Sequence, residues 1–575
     1  MGNSIYNQKI WKKSWDPGLE DLDPELWNMN ILKALKDTFE NYADNMAFSF
    51  TGMETTFGEI DKKSNQFANM LIDKGFEKGD VVGINLPNIP EYVFSVVGTL
   101  KAGCIVSGIS PLLSEMQMLH QINDLGGSGQ KKVALVTLDA IFEARLTKIS
   151  SKATDLKLVL VTNIIGSFPK DQQEKIRAVR ELPSGKVTPL ENITVMDYWD
   201  DVMAIYPADP VEIEISPKDL GFIQYTGGTT GPAKGAMLTH SNIVAFMNIT
   251  KAWLEWEKGT GGALSGFPFF HIAGLAFCLN TMFNAVFTVL IPDPRDTLTI
   301  CNALKQYKPR FLVNVPSLFQ LLINFRKFKR LDHSTLDICL SGASPFPVES
   351  QKALENIVGE GKLLEVYGMT ESTALITMNP AIGKKKLGTV GVPILNYDVK
   401  LVDPDTGEEV PLGEPGEICA RSPMIMTGYF NKPEETANVL DKDGYMHTGD
   451  VGIMDEEGYF RIVDRTKDMI IVSGFKVFSA KLEDVLTKHP AIGMVALIGV
   501  SNPDRPGSEI VKAFVQLDPS YEFDGNTEAL KESIIAFAKE NCAPYEVPKM
   551  IEITEELPLT AVGKVDKKVL RAKKD

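Results

Sequence analysis

The sequence predicts an α/β protein with a large N-terminal region of several layers, in which helices flank the sheets, and a small α+β C-terminal domain. Short apolar runs rich in β-branched residues recur along the chain and alternate with helical patterns. The runs are apolar throughout, as in strands buried on both faces of a parallel sheet. The chain has 575 residues, too many for one hydrophobic core, so about three to four domain-sized units are expected.

The predicted strands of the N-terminal region lie in apolar runs bounded by turn-forming residues. They include residues 81–87, 133–139, 158–163, 311–316 and 337–343. The longest apolar run, Leu275 to Ile291, contains Asn280 and Asn284. It is slightly short for a membrane span, so it indicates a buried helix and strand. The polar segment from Ser167 to Pro189 is expected to be an exposed surface segment.

The pattern changes after about Asp464, where short strands surround an amphipathic helix and a second helix is predicted near residues 528–541. This stretch has roughly the size of one small α+β domain. We therefore predict an N-terminal domain over residues 1–464, which also carries a small β-rich subdomain, and a mobile C-terminal lid over residues 465–575. The boundary is expected near residues 464–468.

The composition limits the classes of partner. Net charge is −16, with 44 % hydrophobic and 23 % charged residues, which indicates a globular protein and argues against nucleic acid as the main partner. The six cysteines are scattered, with no C-x-x-C pair and no histidine spacing typical of zinc, so a reducing compartment without a structural metal is expected. The N-terminus lacks an apolar signal core. We predict a cytoplasmic protein without integral membrane association, and a homodimer remains compatible with the sequence.

The stretch YTGGTTGPAKG, from Tyr225 to Gly235, resembles a phosphate loop but lacks the Gly-Lys-Ser/Thr ending of a P-loop. Strand patterns precede and follow it, so Lys234 begins a strand, and Thr239 or Ser241 is expected to cap the next helix. A solvated hairpin is the alternative to anion binding. Closely spaced glycines, hydroxyls and a lysine favour phosphate, held by backbone N–H groups and side chains. The loop residues assigned to phosphate are Thr226, Gly227, Gly228, Thr229, Thr230, Gly231 and Lys234.

This loop is similar to the signature of the adenylate-forming superfamily, which includes acyl-CoA synthetases, luciferases and peptide-synthetase adenylation domains. Five further segments resemble the motifs of that superfamily in the same order. They are LSGASP at 340–345, VYGMTES at 366–372, GYMHTGD at 444–450, IVDRTKDMIIVSGFKV at 462–477 and LPLTAVGKVDKKVL at 557–570. The sequence of residues 395–570 most resembles that of medium- and long-chain fatty-acyl-CoA ligases.

The resemblance implies two half-reactions with ATP, Mg²⁺ and coenzyme A. A carboxylate attacks the α-phosphorus of ATP, giving acyl-adenylate and pyrophosphate, and a thiol then attacks the acyl carbon and expels AMP. Charge builds on phosphate oxygens in the first step, so cations must be placed in advance. By resemblance, Lys564 bridges carboxylate and α-phosphate, Glu371 binds Mg²⁺ together with Thr226, and Thr370 contacts phosphate. Without the motif, Lys564 would be an ordinary solvated charge.

The resemblance also implies the nucleoside contacts. Tyr367 stacks on adenine beside Gly342, Ala343 and Gly368, although plain core packing is the ordinary role of a tyrosine in an apolar run. Asp450 accepts the ribose hydroxyls, the alternative being a turn-forming aspartate after a glycine. Arg465 reaches ribose or phosphate.

The segment around residue 467 resembles the hinge of the superfamily. Lys467 would let the lid present first Lys564 and then the face formed by Ser473, Gly474 and Phe475, where Gly474 lines the path of the thiol. A plain strand-to-strand turn is the alternative. After this face the chain has Ser479 where the superfamily has proline, and Lys481 where it has an acid. The effect of both on the thioester-forming conformation is left open.

The segment FPFFHIAGL, 267–275, resembles the one that shapes the acid pocket. His271 stands where relatives that activate amino acids carry Asp, which argues against an amino-acid substrate. His271 is a gate of the channel or a hydrogen-bonded core histidine. The remaining predicted pocket residues are small or apolar, which suits a hydrocarbon acid. They are Ala273, Gly274, Leu275, Val315, Met369, Ala374 and Leu375.

The resemblance favours an AMP-forming acyl-CoA synthetase for a medium- or long-chain fatty acid. An aromatic or alicyclic carboxylate–CoA ligase, run in either direction, is the first alternative. A protein that loads a separate acyl carrier, or a non-catalytic nucleotide-binding protein, is the alternative of another class. The sequence leaves the identity of the acid, the direction of the reaction and the oligomeric state open.

The assignment of Lys564 gives a prediction that separates the two half-reactions. Lys564→Ala should largely abolish acyl-adenylate formation, because the cation at the α-phosphate is lost, and should spare thioester formation from supplied acyl-adenylate. Pyrophosphate release and thioester formation are measured separately. Near-normal pyrophosphate release by the variant would refute the assignment.

Overall fold

The computed structural model describes residues 4–226, 233–473, 475–503, 505, 508–519, 521–559 and 565–572. Several residues singled out by the sequence lie outside these ranges. They are Gly227, Gly228, Thr229, Thr230, Gly231, Gly474 and Lys564.

Twenty-one strands are described in the part of the chain before the predicted boundary. They are β1 (Met46–Phe50), β2 (Met53–Thr56), β3 (Val81–Asn85), β4 (Ile105–Gly108), β5 (Val133–Leu138), β6 (Leu156–Thr162), β7 (Thr194–Asp197), β8 (Leu220–Thr226), β9 (Lys234–Thr239), β10 (Gly262–Ser265), β11 (Phe287–Leu290), β12 (Phe311–Asn314), β13 (Ile338–Ser341), β14 (Leu363–Tyr367), β15 (Thr377–Met378), β16 (Val392–Pro393), β17 (Asp398–Val402), β18 (Gly416–Arg421), β19 (Gly428–Tyr429), β20 (Met446–Met454) and β21 (Phe460–Arg465).

Helices separate most of these strands. They are α1 (Ile31–Asn41), α2 (Phe57–Asp73), α3 (Pro90–Lys101), α4 (Glu115–Gly126), α5 (Asp139–Ile141), α6 (Thr147–Ile149), α7 (Lys170–Val179), α8 (His240–Trp253), α9 (Ile272–Phe283), α10 (Thr297–Tyr307), α11 (Pro316–Asn324), α12 (Val348–Val358) and α13 (Pro433–Ala437). A π-helical segment, Phe142–Leu146, joins α5 to α6.

Two large, mainly parallel sheets form the body of the protein. One has nine strands in the order β16-β15-β14-β13-β12-β10-β11-β1-β2, and the other has eight in the order β19-β9-β8-β4-β3-β5-β6-β7. Their central strands are parallel, and the antiparallel strands lie at the margins. The predicted α/β class is confirmed, and the apolar strands are buried on both faces as their sequences indicate.

The main core lies between the two sheets and includes α2, α3, α8 and α9. Helices α2 and α3 approach so closely at Gly98 that a Cβ there would lie 2.7 Å from the Cβ of Phe67. Separate cores cover the outer faces, one under α4 to α6 and one under α10 to α12. The layers therefore alternate between helices and sheets, and a continuous core holds the two sheets in one unit.

Local signals set the ends of the helices beside the glycine-rich loop. Thr239 begins α8 with a capping box, because the Asn242 N–H donates to the Thr239 hydroxyl and the Thr239 N–H donates to the Asn242 side chain. The predicted Thr239 cap is thus confirmed.

The apolar run Leu275–Ile291 divides, as predicted, into a helix, α9, and a strand, β11. The polar segment 167–189 contains α7, which has no buried residue.

A small antiparallel sheet of β17, β18, β20 and β21 follows the large sheets and forms the predicted β-rich subdomain. The chain after it contains β22 (Ile470–Val472), β23 (Phe475–Val477), α14 (Ser479–Leu486), β24 (Ile492–Ser501), β25 (Glu509–Leu517), α15 (Thr527–Asn541), β26 (Met550–Thr554) and α16 (Lys567–Ala572). Strands β24, β25 and β26 form a sheet that packs on α14 and α15. Among the described helices, none combines the length and the apolar character that crossing a bilayer requires.

Candidate functional site

The glycine-rich loop connects two antiparallel strands, β8 and β9, and its two flanking residues face each other. Thr226 is the register partner of Lys234. The Lys234 ammonium forms an ion pair with Glu435 on α13 and lies 5.1 Å from the ring centre of Tyr429. Lys234 therefore begins a strand as predicted, at the mouth of the loop, and already has a carboxylate partner.

Glu371 lies in a buried turn beside this lysine. The Tyr429 hydroxyl donates to Glu371 Oε1 at 2.6 Å, and the Met426 N–H donates to the Glu371 carbonyl. Burial raises the pKa of the Glu371 carboxyl, and the bond from Tyr429 lowers it in part. Within the described residues no hydrogen bond reaches Oε2, so one carboxylate oxygen stays available to a ligand.

The turn that holds Glu371 is locally constrained. Residues Thr370–Ser372 form a 3₁₀ turn, and the Ser372 hydroxyl closes it by accepting from the Met369 N–H. Gly368 is required just before the turn, because a Cβ there would lie 2.1 Å from the Ala374 carbonyl oxygen. The turn thus fixes the direction of the Thr370 and Glu371 side chains at the end of β14.

Asp450 connects three elements at the edge of the small sheet. The Tyr367 hydroxyl, at the end of β14, donates to Asp450 Oδ2 at 2.8 Å, and Arg465 Nε on β21 lies 3.1 Å from Oδ1. Asp450 and Arg465 are register partners on β20 and β21. A carboxylate oxygen can accept two hydrogen bonds, so both Asp450 oxygens have room for a hydroxyl donor from a ligand.

Gly342 and Ala343 follow β13 next to Tyr367. Ala343 has a φ of 70°, in the left-handed region, and a Cβ on Gly342 would lie 2.5 Å from a methyl of Val366. The close approach explains why glycine is needed at residue 342, where any side chain would collide with Val366.

A row of buried polar side chains lies beneath this segment, and the sequence did not reveal it. Asn314, Ser341 and Glu365 are register partners on β12, β13 and β14. Burial raises the pKa of Glu365 to about 8. Within the described part of the chain, Glu365 Oε1 and the Asn314 amide have no hydrogen-bond partner. Such groups are costly in a core unless a ligand or water satisfies them.

The predicted acid segment is held by buried polar side chains. Asn88 donates to the Phe267 carbonyl and accepts from the Phe269 N–H, and the Tyr92 hydroxyl donates to the Phe269 carbonyl. His271 caps α9 by accepting from the Ala273 N–H at 3.3 Å, so its geometry favours a structural role over a gate.

Some of the remaining predicted pocket residues are buried in the core, and others are half-buried at its margin. A Cβ on Gly274 would lie 2.2 Å from the Pro268 carbonyl oxygen, so this glycine serves the contact between segment and helix. Leu275 is fully buried in the main core. Other predicted pocket residues have half-buried apolar side chains at the margin of the same core, where a ligand can contact them. They are Ala273, Val315, Met369 and Ala374.

Lys467 and the face beyond it lie between the two predicted domains. Lys467 is exposed, and partial desolvation by its neighbours, followed by the charge of Arg465, lowers the pKa of its ammonium. Ser473 has a φ of 52°, and its hydroxyl accepts from Arg505. Phe475 is exposed and stacks on Tyr545 at 4.7 Å. Its side chain is therefore free to meet another surface if the lid turns.

Ser479 has a specific partner across the predicted hinge. Its backbone N–H donates to Asp464 Oδ2, and its hydroxyl donates to Asp464 Oδ1 at 3.1 Å. Asp464 is buried, and burial raises its pKa. Lys567 extends the cluster, donating to the Ser479 hydroxyl and pairing with Glu483 at 2.7 Å. A proline here would lack the N–H, so the serine has a physical role that its sequence position did not reveal.

The structure brings Tyr367, Glu371, Asp450, Arg465 and Lys234 to one cleft, where the end of β14, the edge of the small sheet and the start of β9 meet. The sequence missed Tyr429 and Glu435, which lie 58 and 201 residues from their partners Glu371 and Lys234. The cleft combines cations, a carboxylate pair and an aromatic ring. Groups of these types are the ones that recognition of a polyphosphate with a ribose and a planar base requires.

Comparison with known proteins identifies relatives across nearly the whole chain. The family described as AMP-binding enzyme matches residues 35–430, and the AMP-binding enzyme C-terminal domain matches residues 481–564. Long-chain-fatty-acid–CoA ligases of Escherichia coli O6:H1 and Bacillus subtilis strain 168 are 34% and 35% identical to the chain. Both alignments cover 98% of this chain, and they cover 98% and 97% of the relatives.

A solved structure has the same fold. ATP-bound MatB from Rhodopseudomonas palustris superposes with a TM-score of 0.79 at 25% identity, covering 94% of this chain and 98% of that one.

The Asp464–Ser479 contact generates a prediction about the arrangement of the lid. Proline is well tolerated at the first position of a helix, so Ser479→Pro removes two donors and leaves α14 intact. Bonds to a charged group contribute about 1.5–3 kcal/mol, so the docked arrangement should weaken about tenfold or more. Limited trypsin digestion after Lys467 should accelerate accordingly.

Lys481 provides the control, because its side chain is 63% exposed and lies 3.9 Å from Glu546. Lys481→Ala should be cleaved at the wild-type rate. A wild-type rate for Ser479→Pro would show that the contact does not hold the lid.

Proposed function

Because the chain belongs to the family of AMP-binding enzymes, we propose that it is an AMP-forming acyl-CoA synthetase acting on fatty acids. The observation that carries this proposal is the convergence of Tyr367, Asp450, Arg465 and Glu371 in one cleft of a chain whose full-length relatives are long-chain-fatty-acid–CoA ligases. ATP and coenzyme A are its co-substrates.

The first half-reaction forms a bond between a carboxylate oxygen of the acid and the α-phosphorus of ATP, and breaks the bond from that phosphorus to the β-phosphate bridge. Pyrophosphate leaves with the electron pair. Asp450 accepts the ribose hydroxyls while Tyr367 and Arg465 hold its carboxylate in place. Lys234 transfers from Glu435 to the leaving phosphates, and Lys564, outside the described residues, approaches the α-phosphate.

Mg²⁺ fits the donors at Glu371. It prefers carboxylate and phosphate oxygens, and Tyr429 orients this carboxylate through Oε1 while Oε2 carries no described hydrogen bond. When bound, the ion neutralises charge that develops on the phosphate oxygens. Thr226 adds a hydroxyl at the other side of the cleft, and Thr370 positions the phosphates.

The second half-reaction requires the lid to change its position. The thiol of coenzyme A attacks the acyl carbon, AMP departs, and the thiol proton passes to solvent. We place the domain boundary at residues 464–468 and the pivot at Lys467, so that the turn carrying Ser473 and Phe475 faces the cleft in this step. Rotation there breaks the bonds from Ser479 to Asp464.

The acyl chain of the substrate is assigned to the margin of the main core. Ala273, Val315, Met369 and Ala374 offer apolar surface with no described charge among them, so area burial provides the affinity. The segment that leads into α9 is fixed by Asn88 and Tyr92, so the entrance is preformed.

A panel of acids tests the function and its substrate class. ATP- and CoA-dependent AMP release should be fastest with straight-chain fatty acids, and kcat/KM should rise with chain length until the channel is full. Branched, alicyclic and aromatic acids complete the panel, and omission of CoA isolates acyl-adenylate formation. A higher kcat/KM for an aromatic or alicyclic acid would overturn the substrate assignment and leave the ligase chemistry standing.

The contact between Tyr429 and Glu371 predicts a pH effect. Glu371 binds a cation only when ionised, so activity falls as pH decreases through its raised pKa. The Tyr429 hydroxyl lowers that pKa, and Tyr429→Phe removes it while keeping the ring beneath Lys234. The acid limb of the pH profile of kcat/KM for ATP should move to higher pH.

Tyr206→Phe is the matched control, because Tyr206 also donates to a carboxylate, Asp73, at an exposed site. Its profile should coincide with that of the wild type. An acid limb that stays in place in Tyr429→Phe would exclude Glu371 as the titrating group.

A further inference from the structure

Three metal-ligating side chains meet on the small sheet, on strands β18 and β20. Cys419 and His447 are register partners, and Glu417 lies two residues from Cys419 on the same face of β18. The register shifts between Glu417 and Cys419, because Glu417 pairs with Val451. The extra residues of β20 form a bulge that contains Gly449 and Asp450.

The distances among these groups resemble those within a metal site. His447 Nδ1 lies 2.9 Å from Glu417 Oε2 and 3.4 Å from Cys419 Sγ. The ligand atoms of all three residues lie within 4.8 Å of one another. Tetrahedral zinc bonds of about 2.0–2.3 Å place neighbouring ligand atoms about 3.3–3.6 Å apart. The two distances from His447 Nδ1 are therefore within about half an ångström of those in a zinc site, and rotation of the Glu417 and Cys419 side chains completes the geometry.

Hydrogen bonding pairs Glu417 with His447, and Cys419 competes for the same ring nitrogen. A ring nitrogen offers either one proton or one lone pair, while both Glu417 Oε2 and Cys419 Sγ approach the same Nδ1 atom. If Nδ1 donates to the carboxylate, the thiol proton of Cys419 has no described acceptor. A cation between the three atoms satisfies all of them together.

The surroundings match the outer shell of a metal site. Asp441 Oδ2 lies 3.8 Å from His447 Nε2, beyond hydrogen-bond distance but near enough to attract a ring proton on Nε2 when Nδ1 holds an ion. Glu417 Oε1 accepts from the Gly449 N–H at 2.9 Å, which orients the carboxylate and leaves Oε2 for the ion. His447 is 33% exposed and provides the approach from solvent.

We propose that Glu417, Cys419 and His447 form a binding site for a divalent ion of the zinc class. The ligands are one thiolate, one imidazole and one carboxylate, and water takes the fourth position. Binding forms the bond from the ion to Sγ and releases the thiol proton to solvent. Sulfur and nitrogen ligands disfavour Mg²⁺, so the site is distinct from the one assigned to Glu371.

Occupation of the site acts on the bulge that carries Asp450. Glu417 holds the ion through one oxygen and the Gly449 N–H through the other, and Asp450 is the next residue. The ion therefore restrains the strand segment that presents Asp450 to Tyr367 and Arg465.

Cobalt absorption tests the site directly on the full-length, untagged protein. Co²⁺ replaces Zn²⁺ in sites of this class, and a bond to thiolate gives a charge-transfer band in the near ultraviolet. The band should appear with a single equivalent of Co²⁺, disappear on addition of Zn²⁺, and be absent from Cys419→Ser. His447→Gln should weaken binding at least tenfold. Proton release, followed with a pH indicator, should accompany the band.

Cys542→Ser is the matched control, because Cys542 is a half-buried thiol outside the cluster, and it should retain the band. Circular dichroism of each metal-free variant separates loss of ligands from loss of fold, and Glu417→Gln gives a third variant should Cys419→Ser unfold. Absence of the band in the wild type, or its persistence in a folded Cys419→Ser, would overturn the proposal.

Discussion

The Asp450 carboxylate is the interaction on which the arrangement of the cleft depends. It is buried, and it accepts from Tyr367 at the end of a strand of the nine-stranded sheet while pairing with Arg465 on the last strand of the small sheet. The large sheet, the small sheet and the segment that leads to the lid are thereby joined at one point. Removal of the negative charge would take from Arg465 its ion-pair partner and from Tyr367 the carboxylate to which it donates. The residue to which we assign the ribose hydroxyls is thus also the residue that joins the two sheets.

Much of the fold follows from local patterns in the sequence. Apolar runs predicted β3, β5, β6, β12 and β13, because strands covered on both faces must be apolar throughout. The cap of α8 was predicted from Thr239, since a hydroxyl before a helical pattern satisfies a free N–H. The division of Leu275–Ile291 into a helix and a strand followed from its length and its two asparagines.

The site was predicted only where motifs mark it. Tyr367, Asp450 and Arg465 belong to recognisable segments, and the structure brings them into contact. The partners of Glu371 and Lys234 were missed, because contacts across many residues of sequence depend on how the sheets meet. For His271 the sequence left two roles open, a gate and a hydrogen-bonded core histidine, and in the structure its ring nitrogen accepts from the Ala273 N–H at the start of α9. The cluster of Cys419 and His447 was hidden because a bulge, not a spacing motif, sets its register.

The ion pair between Lys234 and Glu435 has a consequence for the order of events at the cleft. The lysine already has a counterion in the described structure, because the exposed carboxylate of Glu435 pairs with it. An incoming anion must therefore displace an existing counterion, and its advantage grows with its own charge. A triphosphate has that advantage, whereas a monophosphate has much less. In the proposed reaction Glu435 reclaims the lysine as pyrophosphate leaves, so the carboxylate that competes with small anions also favours release of this product.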